Sequence, residues 1–157
     1  MSRGPESIET QIQELEQKLQ EARAHIPEHD PSPTSSGRID ELEKQLELLR
    51  VLQRLETLAG QIQKVERAIA DVQARIPEHD VPPALLMEMD ELEERLESLR
   101  ARHASESLSH QILATQQKLQ EALARVPKHS TPASLMVEIE ELEEELERLS
   151  ASRNNPR

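Results

Sequence analysis

Apolar residues recur along this chain at alternating steps of four and three positions. The first run begins at Ile8 and ends at Ile26. This spacing places the apolar side chains on one stripe of an α-helix, and the alternation of steps is the heptad pattern of a coiled coil. Because a stripe on an otherwise polar helix must pack against another element, the pattern predicts helices that associate along thin seams. The first stripe consists of Ile8, Ile12, Leu15, Leu19, Ala22 and Ile26.

The same stripe returns twice, at a spacing of fifty residues. Ile12 aligns with Ile62 and Ile112, and each stripe is followed by a proline-containing loop and a second apolar stripe. Self-similarity at a fixed spacing is typical of a duplicated supersecondary unit. The sequence therefore predicts three tandem antiparallel helical hairpins of ~50 residues each. These repeats span 6–55, 56–105 and 106–153.

Proline ends the first helix of every repeat. Pro27, Pro77 and Pro127 lack a backbone N–H and disfavour helical geometry in the preceding residue. Pro83 is expected in the first turn of the next helix, where the missing N–H has no cost. The first repeat has serine and glycine where the other two have apolar residues, so its second helix is predicted to begin later, near Arg38.

The joints between repeats determine how the hairpins are connected. Residues 38–75 contain no proline and only one glycine, which predicts one continuous helix of about 38 residues and ~57 Å. The second joint also lacks a strong helix breaker. The predicted fold class is therefore all-α, a zigzag of four helices (short, long, long, short) in a coiled-coil-like bundle. A rival layout breaks both joints, near 50–58 and 100–107, and stacks three hairpins as a solenoid.

The zigzag brings four helical segments together at one end. There we expect a four-helix bundle. The whole chain, 1–157, is predicted to be a single elongated helical domain with flexible ends at 1–5 and 151–157. The four segments of the bundle are 7–25, 38–57, 104–125 and 133–150.

At the other end of the zigzag only two segments, 58–75 and 83–103, lie side by side. A lone two-helix hairpin leaves one side of its apolar stripe uncovered. We therefore predict that this middle hairpin pairs with another chain, most simply its own copy. The predicted interaction residues, called the middle seam below, are Val65, Ile69, Val72, Leu85, Leu86, Met89, Leu92 and Leu96.

Composition narrows the classes of function. Aromatic residues make up 0% and charged residues 32% of the chain, a mixture typical of long helices. A net charge of −12 repels nucleic-acid phosphates and anionic lipids, and no aromatic ring is available for base stacking. No cysteine, no membrane-length apolar run and no signal-peptide core is present. We expect a cytoplasmic protein without nucleic-acid, membrane or small-molecule partners.

Histidines in the loops are the candidate metal ligands. His29, His79 and His129 recur with the repeat, and Glu28 and Asp30 beside the first could add oxygen ligands. Polar residues near prolines are, however, ordinary turn formers that duplicate with the repeat. The zigzag also separates the second histidine from the other two. We therefore expect no metal site and no bound cofactor.

Glutamates crowd the last helix, and paired carboxylates can serve acid–base catalysis. A solvated face is the more ordinary interpretation, because no motif of a nucleophilic, phosphate-binding or metal-dependent enzyme occurs. We expect no catalytic residues and no enzymatic activity. The acidic face could instead meet a basic protein. Its members are Glu138, Glu140, Glu141, Glu143, Glu144, Glu145 and Glu147.

Methionines flank the second and third loops. Met87, Met89 and Met136 could form adaptable contact surfaces, but methionine more often fills gaps in a core, and core positions are the expectation here.

The sequence thus favours a structural or interaction module that buries an incomplete Leu/Ile seam against another chain. Its expected partner is a protein, either a second copy in a homo-oligomer or another helical protein. One alternative is an adaptor that binds a basic protein through its acidic helix faces. Another is an engineered helical-repeat scaffold with no natural partner, which the regularity of the repeat suggests.

Overall fold

A computed structural model describes residues 6–26 and 33–155 of the chain. In these ranges all regular structure is helical, which confirms the predicted class: four helices and no strand. Their lengths of 17, 43, 42 and 22 residues follow the order short, long, long, short. The helices are α1 (Ile8–Ala24), α2 (Pro33–Arg75), α3 (Pro83–Ala124) and α4 (Ala133–Asn154).

Both predicted joints lie inside uninterrupted helices. α2 runs through 50–58 and α3 through 100–107, so the rival solenoid, which needs a break at each joint, does not describe this chain. A single glycine such as Gly60 costs only ~1 kcal/mol in a helix interior and does not break it. Each long helix therefore continues through its joint without a break.

Helix ends follow from local chemistry. The Ser7 side chain caps α1 by accepting a hydrogen bond of 3.3 Å from the Thr10 amide. Pro83 is the first residue of α3, as predicted. α2 begins at Pro33 rather than near Arg38, so that prediction was wrong by five residues. α2 and α3 both begin at a proline for the same reason. Proline at the first helical position already has the φ angle of a helix, and the backbone N–H that it lacks would have no partner there.

α4 continues to Asn154 and so enters the segment 151–157 for which flexibility was predicted. That flexibility stays a prediction. The other predicted flexible end, 1–5, lies outside the described residues, as does the first loop with Pro27 and His29.

Unit 1 is one of two compact units and comprises Met1–Gln53 and Leu108–Arg157. Its first hairpin joins α1 to the first part of α2 through a core of Ile12, Leu19 and Leu46. A 2.6 Å hydrogen bond from the Lys44 Nζ to the Gln120 Oε1 links α2 to α3, and a 2.5 Å contact between Arg125 and Glu138 links α3 to α4. This packing is compatible with a helical bundle.

Unit 2, Arg54–Ser107, contains the middle hairpin alone, formed by the second part of α2 and the first part of α3. Leu58, Val65 and Leu99 form its core. Three ion pairs cross between the two helices at distances of 2.9 to 3.1 Å. They are Arg54–Glu106, Arg75–Glu88 and Arg100–Glu66.

Candidate interaction surfaces

The most informative surface lies on unit 2, where apolar residues are half-buried at positions that are buried in unit 1. In unit 1 Ile12, Leu19 and Leu46 form the buried core of the first hairpin. The residues fifty positions later pack against the core of the middle hairpin but remain half-buried. We call these three the open side of unit 2: Ile62, Ile69 and Leu96.

A second set of repeat positions is buried in unit 2 and half-buried in unit 1. Leu58, Val65 and Leu99 are buried in unit 2, whereas Ile8, Leu15 and Leu49 at the same repeat positions are half-buried in unit 1. On an α-helix, residues such as Ile62 and Ile69 lie 40–60° to one side of the stripe centred on Val65, at about 100° per residue. The buried set of unit 2 is therefore the centre of the seam, and the open side is one flank of it.

The eight residues predicted as the middle seam have different environments. Leu86 is exposed, and Ile69, Leu85, Leu92 and Leu96 are half-buried. The other three are buried within the chain itself, so the expectation that they lie on an exposed side is not met: Val65, Val72 and Met89. Val65 belongs to the core of the middle hairpin together with Leu58 and Leu99.

A shallow depression of about 440 Å³ marks the open side. Ile69 and Leu96 supply its apolar lining, and Glu93, Glu97 and Arg100 supply charged groups. Arg100 also forms the 2.9 Å ion pair with Glu66, which lies beside Ile62 and Ile69 on the α2 wheel. An apolar centre with a charged rim is the usual anatomy of a protein contact surface.

Large apolar side chains are most exposed next to the second and third loops. Met87 is 64% exposed and Met136 51%, so the prediction that they fill core gaps was wrong for these two and right for buried Met89. Both occupy the first turns of their helices, where the inward-facing stripe has only begun. Others exposed near these loops are Leu86, Leu123, Val126 and Val137. The sequence signal for them is the apolar runs "ALLM" and "SLMV" after the loops.

The glutamates of α4 form a continuous acidic surface. Glu138 pairs with Arg125. In the described part of the chain the other six are exposed and have no ion pair: Glu140, Glu141, Glu143, Glu144, Glu145 and Glu147. These glutamates lie on the solvent-exposed side of α4, opposite the apolar stripe, as in an amphipathic helix.

The loop histidines are not gathered with other ligands. Among the described residues no group of three His, Cys, Asp or Glu side chains is placed to hold a metal ion. His79 and His129 are exposed, and His29 with Glu28 and Asp30 lies outside the described ranges. None of the helices searched in these ranges has an apolar stretch of membrane-spanning length.

Comparison with protein-family models, with curated proteins and with solved structures found no match to this chain.

Proposed function

We propose that this protein is a structural or interaction module that buries the open side of unit 2 against another chain. One observation carries the proposal: Ile62, Ile69 and Leu96 are half-buried, although the same repeat positions are buried in the first hairpin. The proposal assigns the molecule no catalytic role.

The partner we propose is a second copy, in a homo-oligomer. Unit 1 includes parts of four helices and unit 2 parts of two, so two copies of unit 2 would supply the same number of helical segments. A two-fold contact uses one self-complementary patch on both copies. The first and middle hairpins have equivalent ion pairs, Arg50–Glu16 and Arg100–Glu66. Two middle hairpins could therefore pack as the helical segments of unit 1 do.

Charge favours one arrangement of the two copies. In unit 2 the α2 segment 54–75 has four basic and three acidic side chains, whereas the α3 segment 83–107 has three basic and seven acidic ones. Placing α3 against α3 of the partner would bring like charges together. Placing α2 against the partner's α3 pairs a slightly positive with a strongly negative segment, and this arrangement is favoured.

The available energy suits a reversible contact. Full burial of a Leu or Ile contributes about 2 kcal/mol, so a half-buried one has ~1 kcal/mol left to gain. The three residues of the open side, Ile62, Ile69 and Leu96, counted on both copies supply on the order of 6 kcal/mol. This is comparable with the ~4–15 kcal/mol cost of association, so we expect dimers that dissociate on dilution.

Light scattering on size-exclusion fractions tests the proposal. Leu96→Gln should convert the dimer to a monomer, because it places an amide in the open side. Leu146→Gln is the matched control, since it changes the same repeat position, also half-buried, on α4. Circular dichroism on both variants verifies that the helices persist. A wild-type chain that stays monomeric up to ~1 mM, the range of weak contacts, would overturn the proposal.

A second candidate is an adaptor for a basic protein, favoured by the six exposed and unpaired glutamates of α4 within the described residues. Binding of a lysine-rich helical peptide should then fall steeply between 0.1 and 1 M salt, as the screening length drops from ~10 to ~3 Å. Glu140→Gln combined with Glu144→Gln should weaken it further. An engineered scaffold without a partner predicts instead a monomer that binds neither.

A further inference from the structure

The first hairpin has two basic residues at positions where the later hairpins have an ion pair. Next to the second and third loops, an arginine pairs with a glutamate across the hairpin at 2.5 to 3.0 Å: Arg75–Glu88 and Arg125–Glu138. Fifty residues before the first of these pairs, the same two positions hold His25 and Arg38. The carboxylate that neutralises the arginine in the later hairpins is therefore absent from this place in the first.

A cavity of about 360 Å³ lies at this place in unit 1, between the end of α1 and the start of α2. A small side chain helps to leave it open, because Ser35 stands where the later hairpins have half-buried Leu85 and buried Leu135. Among the described residues, its lining consists of Lys18, Glu21, Ala22, His25, Ser35 and Arg38.

The lining has a local excess of positive charge. Lys18 and Arg38 are exposed and form no ion pair within the described residues. Glu21 is the one carboxylate among the described lining residues, and its Oε1 accepts a 3.3 Å hydrogen bond from the Gln17 Nε2. The Glu21 backbone carbonyl accepts a 2.6 Å hydrogen bond from the His25 Nδ1, which holds the imidazole beside the cavity. Two cationic groups against one carboxylate are notable in a chain of net charge −12.

Loop carboxylates do not substitute for the paired glutamate in the middle hairpin. There Glu78 and Asp80 are exposed and form no ion pair within the described residues, although they follow Arg75 closely. Glu28 and Asp30, at the same repeat positions, lie outside the described residues. The middle hairpin thus gives no reason to expect that carboxylates at these positions neutralise the first cavity.

We infer that this cavity binds a phosphate-type oxyanion, which supplies the negative charge that the glutamate supplies in the later hairpins. Lys18 and Arg38 provide cationic donors from two helices, and a guanidinium can donate to two oxygens of one phosphate group. The cavity has room for more than one such group, so the anion is either free phosphate or the phosphate ester of a small molecule. The site lies in unit 1, so the inference goes beyond the proposed function of unit 2.

An NMR titration with inorganic phosphate at constant ionic strength tests the site. Saturable shifts are expected at the Lys18 and Arg38 amides, with a Kd of ~1 mM. Arg38→Glu installs the residue of the later hairpins and should weaken binding at least about tenfold, as expected for loss of a charge-assisted hydrogen bond. Arg67→Glu is the matched control, since it makes the same charge change at an exposed position of α2 outside the cavity. Equal weakening by both variants, or no saturation by ~10 mM phosphate, would overturn the inference.

Thermal denaturation followed by circular dichroism supplies a second readout. Phosphate at ten times its Kd should raise the Tm of the wild-type chain by about 3–5 °C. The double variant His25→Arg, Arg38→Glu recreates the ion pair of the later hairpins, so its Tm should not respond to phosphate. An equal rise in both chains would contradict a site at this cavity.

Two further titrations identify what fills the site. Tighter binding of glycerol phosphate than of inorganic phosphate would support the inference with a phosphate ester as the ligand, and equal affinities would support it with the free anion. Glu28→Gln combined with Asp30→Asn should leave phosphate binding in place. Binding that appears only in this double variant would show that loop carboxylates occupy the cavity, and the inference would then be wrong.

Discussion

The first hairpin and the middle hairpin have the same seam but bury opposite parts of it. Ile12, Leu19 and Leu46 are buried in the first hairpin, and their counterparts in the middle hairpin are half-buried. The burial is the opposite for a second set: Leu58, Val65 and Leu99 are buried in the middle hairpin, and their counterparts in the first hairpin are half-buried. The two hairpins have an ion pair between their helices at equivalent positions: Arg50–Glu16 in the first and Arg100–Glu66 in the middle one, each at 2.9 Å. The difference teaches that burial depends on the neighbouring segments within a unit, and not on the residue at a repeat position.

The largest expected effect comes from truncating the same position in both hairpins. Leu46→Ala removes a buried side chain and should lower the free energy of unfolding by ~2–5 kcal/mol. Leu96→Ala, at the half-buried counterpart, should cost about 1 kcal/mol. Urea titration at low protein concentration, where copies are dissociated, measures both. Equal losses would contradict the comparison.

Leu99 and Leu49 test the comparison of the two hairpins in the opposite direction. Leu99 is buried in unit 2 and Leu49 is half-buried in unit 1. Leu99→Ala should therefore destabilise more than Leu49→Ala, by about 1 kcal/mol or more. Urea titrations of the two variants under identical conditions give the difference. If Leu49→Ala costs more, the assignment of the seam centre in unit 2 is mistaken.

Glycine substitutions compare the helix interior in unit 2 with the start of α2 in unit 1. A Cβ at Gly37 or Gly60 would meet no atom within 4 Å. Gly60→Ala should raise the free energy of unfolding by ~0.5–1 kcal/mol, because alanine loses less backbone entropy. Gly37→Ala should gain less, since helix ends fray. Thermal denaturation followed by circular dichroism measures both, and a destabilised Gly60→Ala chain would reveal an unseen contact.

The smallest effect concerns the recurrent ion pairs. Arg50, Glu16, Arg100 and Glu66 are all about half exposed, so solvent screens both pairs. Double-mutant cycles to alanine should give ~0.2–1 kcal/mol for each pair, with equal values that shrink in high salt. A coupling energy confined to one hairpin would show that the two are less alike than their distances suggest.

Some features were predictable because their causes are local. Helix type follows from apolar steps of four and three, and continuity at the first joint follows from the lack of proline between residues 38 and 75. The start of α2 was missed because Ser35, Ser36 and Gly37 suggest a loop, whereas Pro33 begins a helix without strain. Met87 and Met136 were missed because methionine alone does not reveal which side of a first turn faces inward.

By itself the sequence determined the all-helical class and the residues of each apolar stripe, because periodicity acts within a few neighbouring residues. It favoured the four helices of the described ranges over a layout with both joints broken. Only the tertiary structure decided that Leu46 is buried while Leu96 is half-buried, and that Met87 is exposed while Met89 is not. The physical reason is that a side chain leaves water only where other segments surround it, and the number of those segments is a property of the assembled unit.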